Sequence, residues 1–142
     1  MDEKILQTVQ GDLSISGLLI VVVAGGHKVQ YLLLIYEDEK RWANPNAADF
    51  QNELGEYRAF GQEFARDIKG GNALQPTGTA KSVRVRDGKP LVTDGPFAET
   101  KEQLGGFYLV EADNADQAIA MAAKIPGARF GCVEVRPIQK FS

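Results

Sequence analysis

Cysteine and histidine are almost missing from this sequence, with Cys132 and His27 the single examples in 142 residues. No disulfide can close within the chain, and no zinc site built on Cys and His can be assembled. A reducing, cytoplasmic setting fits this usage. An excess of one charge is missing as well: 16 basic side chains stand against 19 acidic ones, for a net charge of -3. That balance leaves no electrostatic footprint for DNA or RNA. Long apolar runs are also absent. Residues 15–24 come nearest, but they fall short of the roughly 20 residues of a membrane span and lack the cationic start of a signal peptide. A buried or edge strand is expected there. The sequence has no glycine-rich phosphate loop of common spacing, no serine in a nucleophile-elbow pattern and no carboxylate/histidine cluster for a metal. No cofactor is expected.

What remains is ordinary for a globular domain. The 44% apolar and 25% charged residues allow one packed core, and the length suits one domain rather than two. Tyr31-Leu32-Leu33-Leu34-Ile35-Tyr36 is an unbroken apolar run closed by Glu37-Asp38-Glu39-Lys40, the pattern of a strand covered on both faces. Asn44 before Pro45 marks a helix start. From there Phe50, Leu54, Tyr57, Phe64 and Ile68 recur at helical spacing until Gly70-Gly71 ends the pattern. Alternating segments at 82–86 and 91–93 flank Asp87-Gly88, a dipeptide suited to the positive φ angles of a type I′ hairpin turn. Residues 94–105 are too polar and too broken by Gly and Pro for a strand and are expected to be a loop.

Extended structure returns at 107–111. Asn114 with Gln117 three residues on forms a capping-box pattern for a second helix. Its stripe is Ala115, Ala118, Ile119, Ala122 and Ile125, and Pro126 stops it. Residues 132–136 alternate as a last strand, with Cys132 as a small buried hydrophobe. The order predicts an α+β fold, a ferredoxin-like split β-α-β with an elaborated central hairpin and loop. Both helices then lie on one side of an antiparallel sheet. The apolar first strand implies that the other side is covered too, most economically by a second copy of the chain. Residues 1–27 stand apart as an N-terminal extension to the domain at 28–142. Within them, 14–23 are expected to form an added strand or arm, docked on a sheet edge or across a dimer, while 1–11 contribute little.

From Val83-Arg84-Val85-Arg86-Asp87-Gly88 through Thr93-Asp94-Gly95-Pro96-Phe97-Ala98-Glu99-Thr100-Lys101-Glu102-Gln103-Leu104-Gly105-Gly106-Phe107-Tyr108, the chain closely resembles the DGPF-motif branch of the YCII-related family. The likeness extends back to the 31–36 run and forward to Val133-Glu134-Val135-Arg136-Pro137-Ile138. It implies a dimeric α+β barrel, related in fold to small cofactor-independent isomerases and monooxygenases, with a polar cleft in each subunit. It also implies a functional link to sigma factors of the extracytoplasmic-function type, and no known reaction. YCII proteins have been assigned a histidine and an aspartate as an acid/base pair. His27 precedes the first strand and matches no family position, so a histidine mechanism is not carried over.

Asp94 is the candidate catalytic residue. A partly buried carboxylate there would act as a general base or would orient a substrate amine or hydroxyl. The competing reading is an Asx-turn in which it caps the amides that follow. Lys101 is a candidate for holding an anionic group, and Glu99 adds a carboxylate beside it. Arg84 shares a strand face with Arg86, where it would line a cleft or lie on the surface. Tyr36 would lend a hydroxyl to a cleft or pack in a core or interface. The expected partners are a second copy of the chain and an unidentified small molecule, with neither nucleic acid nor a membrane. The function so outlined is a small-molecule site in a polar cleft, or else a non-catalytic metabolite-binding or regulatory module.

Overall fold

A computed structural model describes residues 5–9, 20–24 and 27–141. Along these residues run β1 (Ile5–Val9), β2 (Ile20–Ala24), β3 (Val29–Glu37), α1 (Ala47–Glu63), β4 (Ile68–Ala73), β5 (Lys81–Arg86), β6 (Lys89–Asp94), β7 (Gln103–Ala112), α2 (Ala115–Ala123) and β8 (Cys132–Pro137). Four strands form an antiparallel sheet in the order β4-β7-β3-β8. Both β3 and β4 run antiparallel to the β7 that separates them, so α1 joins two parallel strands that are not neighbours. That is the split β-α-β topology of a ferredoxin-like fold.

Strand period governs the core. Along β3, Tyr31, Leu33, Ile35 and Glu37 are buried while Leu32, Leu34 and Tyr36 between them are only partly so. The buried set packs with Val110 and Ala112 of β7 against Phe60, Ala118, Met121, Ala122 and Ile125. Fully burying a Leu or Met side chain contributes about 1.5–3 kcal/mol, and Leu33, Val110, Met121 and Ile125 are the largest side chains with essentially no exposure. The Phe60 ring meets Tyr108 and Phe64 at 5.0 and 5.1 Å.

Helix boundaries follow caps rather than the first available signal. Asn46, not Asn44, caps α1, its side chain accepting from Ala48 N at 2.9 Å and Asp49 N at 3.3 Å. The helix ends at Glu63, and Ile68, expected on its last turn, opens β4 opposite Val110. Spacing alone cannot separate the two cases, because Phe64 and Ile68 pack on the same core from a helix end and from a strand. Gly70 and Gly71 therefore lie inside a strand. Asn114 caps α2 by accepting from Gln117 N at 2.9 Å, and the Gln117 amide accepts in turn from Asp113 N. Its buried residues are Ala118, Met121 and Ala122, with Ile119 on an exposed flank and Ile125 buried just past its end. Cys132 is exposed rather than buried. It opens the edge strand β8 opposite Tyr36, on the side of the sheet that no helix covers.

The predicted hairpin is β5–β6, turning through Asp87 at φ 50° and Gly88 at φ 74°. It forms a two-stranded sheet of its own, and Val83, Val85, Leu91 and Val92 on it are all exposed. Within residues 14–23, the described part is Ile20–Val23 of β2, which pairs with β1 in another separate two-stranded sheet. Residues 10–19 lie outside the described residues.

Gly131 allows the chain to pass beneath the end of β3. A Cβ there would strike the Tyr36 carbonyl oxygen and come within 3.0 Å of Glu37 Cα. Gly131→Ala should therefore cost about 1–3 kcal/mol by overpacking, read as a lower urea midpoint at unchanged slope. An unchanged midpoint would show that β8 yields to the methyl group.

Candidate functional site

The loop after β6 is fixed at both ends. Gly95, at φ 90°, turns the chain away from the hairpin, and its N–H donates to Ala80 O at 2.7 Å while its carbonyl accepts from Ser82 Oγ at 2.7 Å. At the other end Gln103 Nε2 donates to Thr100 O, and Gln103 Oε1 accepts from Glu39 N at 2.9 Å. Opposite the loop, Glu39 holds the 77–79 turn with both oxygens, accepting from Thr77 N at 3.0 Å and Thr77 Oγ1 at 2.6 Å. Between turn and loop lies an open cleft of about 300 Å³, walled by Thr77, Gly78, Pro96, Glu99, Thr100 and Gln103 among others. Hydroxyl, amide and carboxylate groups line it, which suits a small polar ligand.

The sequence-predicted residues distribute unevenly around this cleft. Glu99 is in its wall. Asp94 stands one residue before the wall, with its side chain 83% exposed and paired with Lys81 Nζ across the hairpin. Its partner is thus a lysine, not the backbone amides of an Asx-turn. Lys101 is exposed in the same loop. Arg84 pairs with Leu91, three positions along β5 from Lys81 and so on the opposite face of the hairpin from the Lys81–Asp94 pair. Tyr36 is partly buried opposite Leu104 and Cys132, on the uncovered side of the sheet. Glu134 and Arg136 pair at 2.6 Å.

A second constellation was not found from the sequence. Glu37 and Glu53 are 7% and 4% exposed, and one guanidinium serves both. Arg41 reaches Glu37 Oε2 at 2.7 Å and Glu53 Oε2 at 3.4 Å, and Trp42 Nε1 donates to Glu37 Oε2 at 3.2 Å. Burial holds the Glu53 carboxyl above the ordinary carboxylate range, Arg41 opposes the shift, and Glu37 and Glu56 add to it. The Tyr57 phenol is pushed up by burial and by the Glu37 and Glu53 carboxylates. The signals were present. Glu37 is in phase with Tyr31, Leu33 and Ile35, and Glu53 lies three residues after Phe50 and four before Tyr57.

Sheet order and the split crossover together define a ferredoxin-like α+β domain, with an open cleft beside the loop that leads to β7. The chain belongs to the YCII-related family: the model of the YCII-related domain matches residues 29–142. An uncharacterised protein of Rhizobium meliloti (strain 1021) is 35% identical over 112 residues, covering 76% of this chain and 90% of that protein. Among the described residues no helix is long and apolar enough to cross a membrane.

Because the raised Glu53 carboxyl keeps its proton in the folded chain after the unfolded chain has released it, folded protein binds more protons above the ordinary value of 4.5. Stability from this group is complete below that value and is lost as pH rises through the raised one. Glu53→Gln, which mimics the protonated form, should therefore gain on wild type by about 1 kcal/mol at neutral pH and little at pH 4. Melting temperatures across that range check it. A gain independent of pH would place the effect elsewhere than on this proton.

Proposed function

We propose that this chain is a small-molecule-binding YCII-related domain whose ligand occupies the cleft between the 77–79 turn and the loop leading to β7. The observation that supports it most is the fixing of both walls: Glu39, Gln103, Ser82 and Gly95 all direct hydrogen bonds to holding this space open. Preorganised walls reduce the ordering cost of binding. Glu99 is the charged contact for a ligand amine or hydroxyl, and Lys101 the nearest cation in sequence. Of the two roles open to Asp94, its exposure and its lysine partner favour an anchor at the cleft mouth over a general base, which works best when withdrawn from water.

The domain works as a homodimer on this reading. Leu32, Leu34, Phe107 and Leu109 share the side of the sheet that no helix covers, through the pairs Leu32–Leu109 and Leu34–Phe107. An antiparallel face left to water carries polar residues at these positions. A second copy offers the same apolar strip about a two-fold axis, and about 800 Å² per partner is the usual requirement for a stable pair. The non-catalytic alternative, a regulatory module working with an extracytoplasmic-function sigma factor, draws on the apolar side chains that β5–β6 exposes.

Incubating a metabolite extract with purified wild type and Glu99→Gln tests the site. One polar metabolite should be retained by wild type and weakened about tenfold by the substitution, with a smaller loss for Asp94→Asn. Retention without turnover favours the binding module, and appearance of a product favours an enzyme. A wild type that neither retains nor converts anything would overturn the cleft assignment. Light scattering at micromolar concentration should give twice the chain mass, reverting to the monomer in Leu34→Arg.

A further inference from the structure

Among the described residues, five of the nine large apolar side chains left exposed fall between positions 83 and 97, namely Val83, Val85, Leu91, Val92 and Phe97. Exposed apolar surface is thus concentrated on the hairpin and the loop that follows it. Residues directly opposite each other on two strands share a face. The pairs Val83–Val92 and Val85–Pro90 therefore make one face of β5–β6 apolar, ending at the Lys81–Asp94 ion pair, while Arg84–Leu91 and Arg86–Lys89 make the other face cationic.

A two-stranded hairpin alone in water is marginal, and it gains stability from a further strand or from something packed on its apolar face. Neither comes from the described part of this chain. β5 and β6 form a sheet of their own, and Val83, Val85 and Val92 are each about 60% exposed. The hydrogen bonds from Gly95 N–H to Ala80 O and from Ser82 Oγ to Gly95 O fix the root of the hairpin without covering its valines.

The uncovered side of the four-stranded sheet has the complementary deficit. Its strip of Leu32, Leu34, Phe107 and Leu109 gives four residues per copy, whereas a stable interface takes about 20–30 a side. Strip on strip is too small a contact, and the hairpin face extends it. Charge selects the surface that the hairpin meets. Residues 81–94 carry four basic side chains against two acidic ones, which leaves 12 against 17 in the rest of the chain. Two such hairpins repel each other, and each is drawn to the anionic body of another copy.

We infer that β5–β6 is a dimerisation arm: its Val83, Val85 and Val92 face lies on the sheet side of a second copy, beside the apolar strip, and the arm of that copy lies on the first in the same way. Such reciprocity is what a two-fold axis imposes. The inference rests on the homodimer reading and adds to it the surface that makes the pair stable.

Sedimentation equilibrium on the full chain measures the dimer dissociation constant. Replacing all three valines by threonine keeps the strand propensity and removes apolar surface, and it should raise that constant about a hundredfold, with circular dichroism unchanged. Arg84→Glu with Arg86→Glu reverses the charge of the arm and should raise it about tenfold at low salt and little at high salt; this chain carries the test alone if the threonine chain does not fold. An unaltered constant in the substituted chains, with Leu34→Arg still dissociating the pair, would overturn the arm and leave the homodimer standing. A monomeric wild type at micromolar concentration would overturn both.

Discussion

The ladder between β3 and β7 is the constraint on which the rest of this domain rests. It runs from Val29–Ala112 to Glu37–Gln103 with one register shift, between Ile35 and Tyr36, where Gly105 is left unpaired. Before the shift, even-numbered β7 residues face the helices: Tyr108, Val110 and Ala112 lie opposite Leu33, Tyr31 and Val29. Beyond it the phase reverses. Leu104 now sits opposite Tyr36 on the uncovered side, and Gln103 opposite Glu37 on the helix side. A bulge re-aims side chains in this way at sheet ends and beside functional sites. Here it brings Gln103 to Glu39 and starts β7 from the wall of the cleft. A regular ladder would have pointed Gln103 away.

The same ladder explains why a carboxylate occupies a core position. Glu37 ends the buried phase of β3, where an apolar residue would stabilise the fold more simply, since replacing a buried ion pair by well-packed hydrophobes is often neutral or stabilising. Its retention at that position goes with geometry rather than stability. Glu37 fixes Arg41 and Trp42, which follow it by four and five residues, and Arg41 fixes Glu53 on the first helix. Gly127 completes the arrangement, because any side chain there would strike the Glu37 carboxylate and Ile35. Three separate parts of the chain converge on one charged contact.

How much of this was legible divides along physical lines. The fold was readable because local signals agreed: an unbroken apolar run at 31–36, a helix start at Asn44-Pro45 with helical period after it, Asp87-Gly88 in the hairpin, Asn114 with Gln117 on the second helix. Strand β4 was not, since its one core side chain, Ile68, continues the helical spacing of the residues before it. Cys132 was misplaced for a related reason. Alternation shows that a strand has two faces but not which face is covered, and an edge strand leaves one of them open. Of the site residues, Glu99 reached the cleft because loop position and site position coincide in so short a segment. Of the two placements open to Arg84, lining a cleft or lying on the surface, it takes the second, because hairpin pairing turns it to the face opposite Asp94. Glu37 and Glu53 are buried despite their charge because each is in phase with apolar neighbours, a signal that composition does not carry.

Position in phase also relates the loop cleft to a smaller pocket with Trp42 and Phe50 in its wall. Glu37 and Glu39 are two residues apart at the point where β3 gives way to a short turn at 39–42 capped by Asp38, and each accepts two hydrogen bonds: Glu37 at Oε2 from Arg41 and Trp42, Glu39 at its two oxygens from both donors of Thr77. The first contact belongs to the wall of the aromatic pocket and the second to the frame of the loop cleft. Backbone dihedrals between them are held by the Asp38 cap and by the Arg41 N–H donating to Asp38 O at 3.1 Å. A displacement of Arg41 or Trp42 is therefore not absorbed by a slack connection, because the next two anchors along the chain are already hydrogen-bonded on the other side. Rigid links of this kind carry strain rather than dissipate it, as close-packed interiors do. The end of β3 is in this sense a single mechanical element with a pocket on either side.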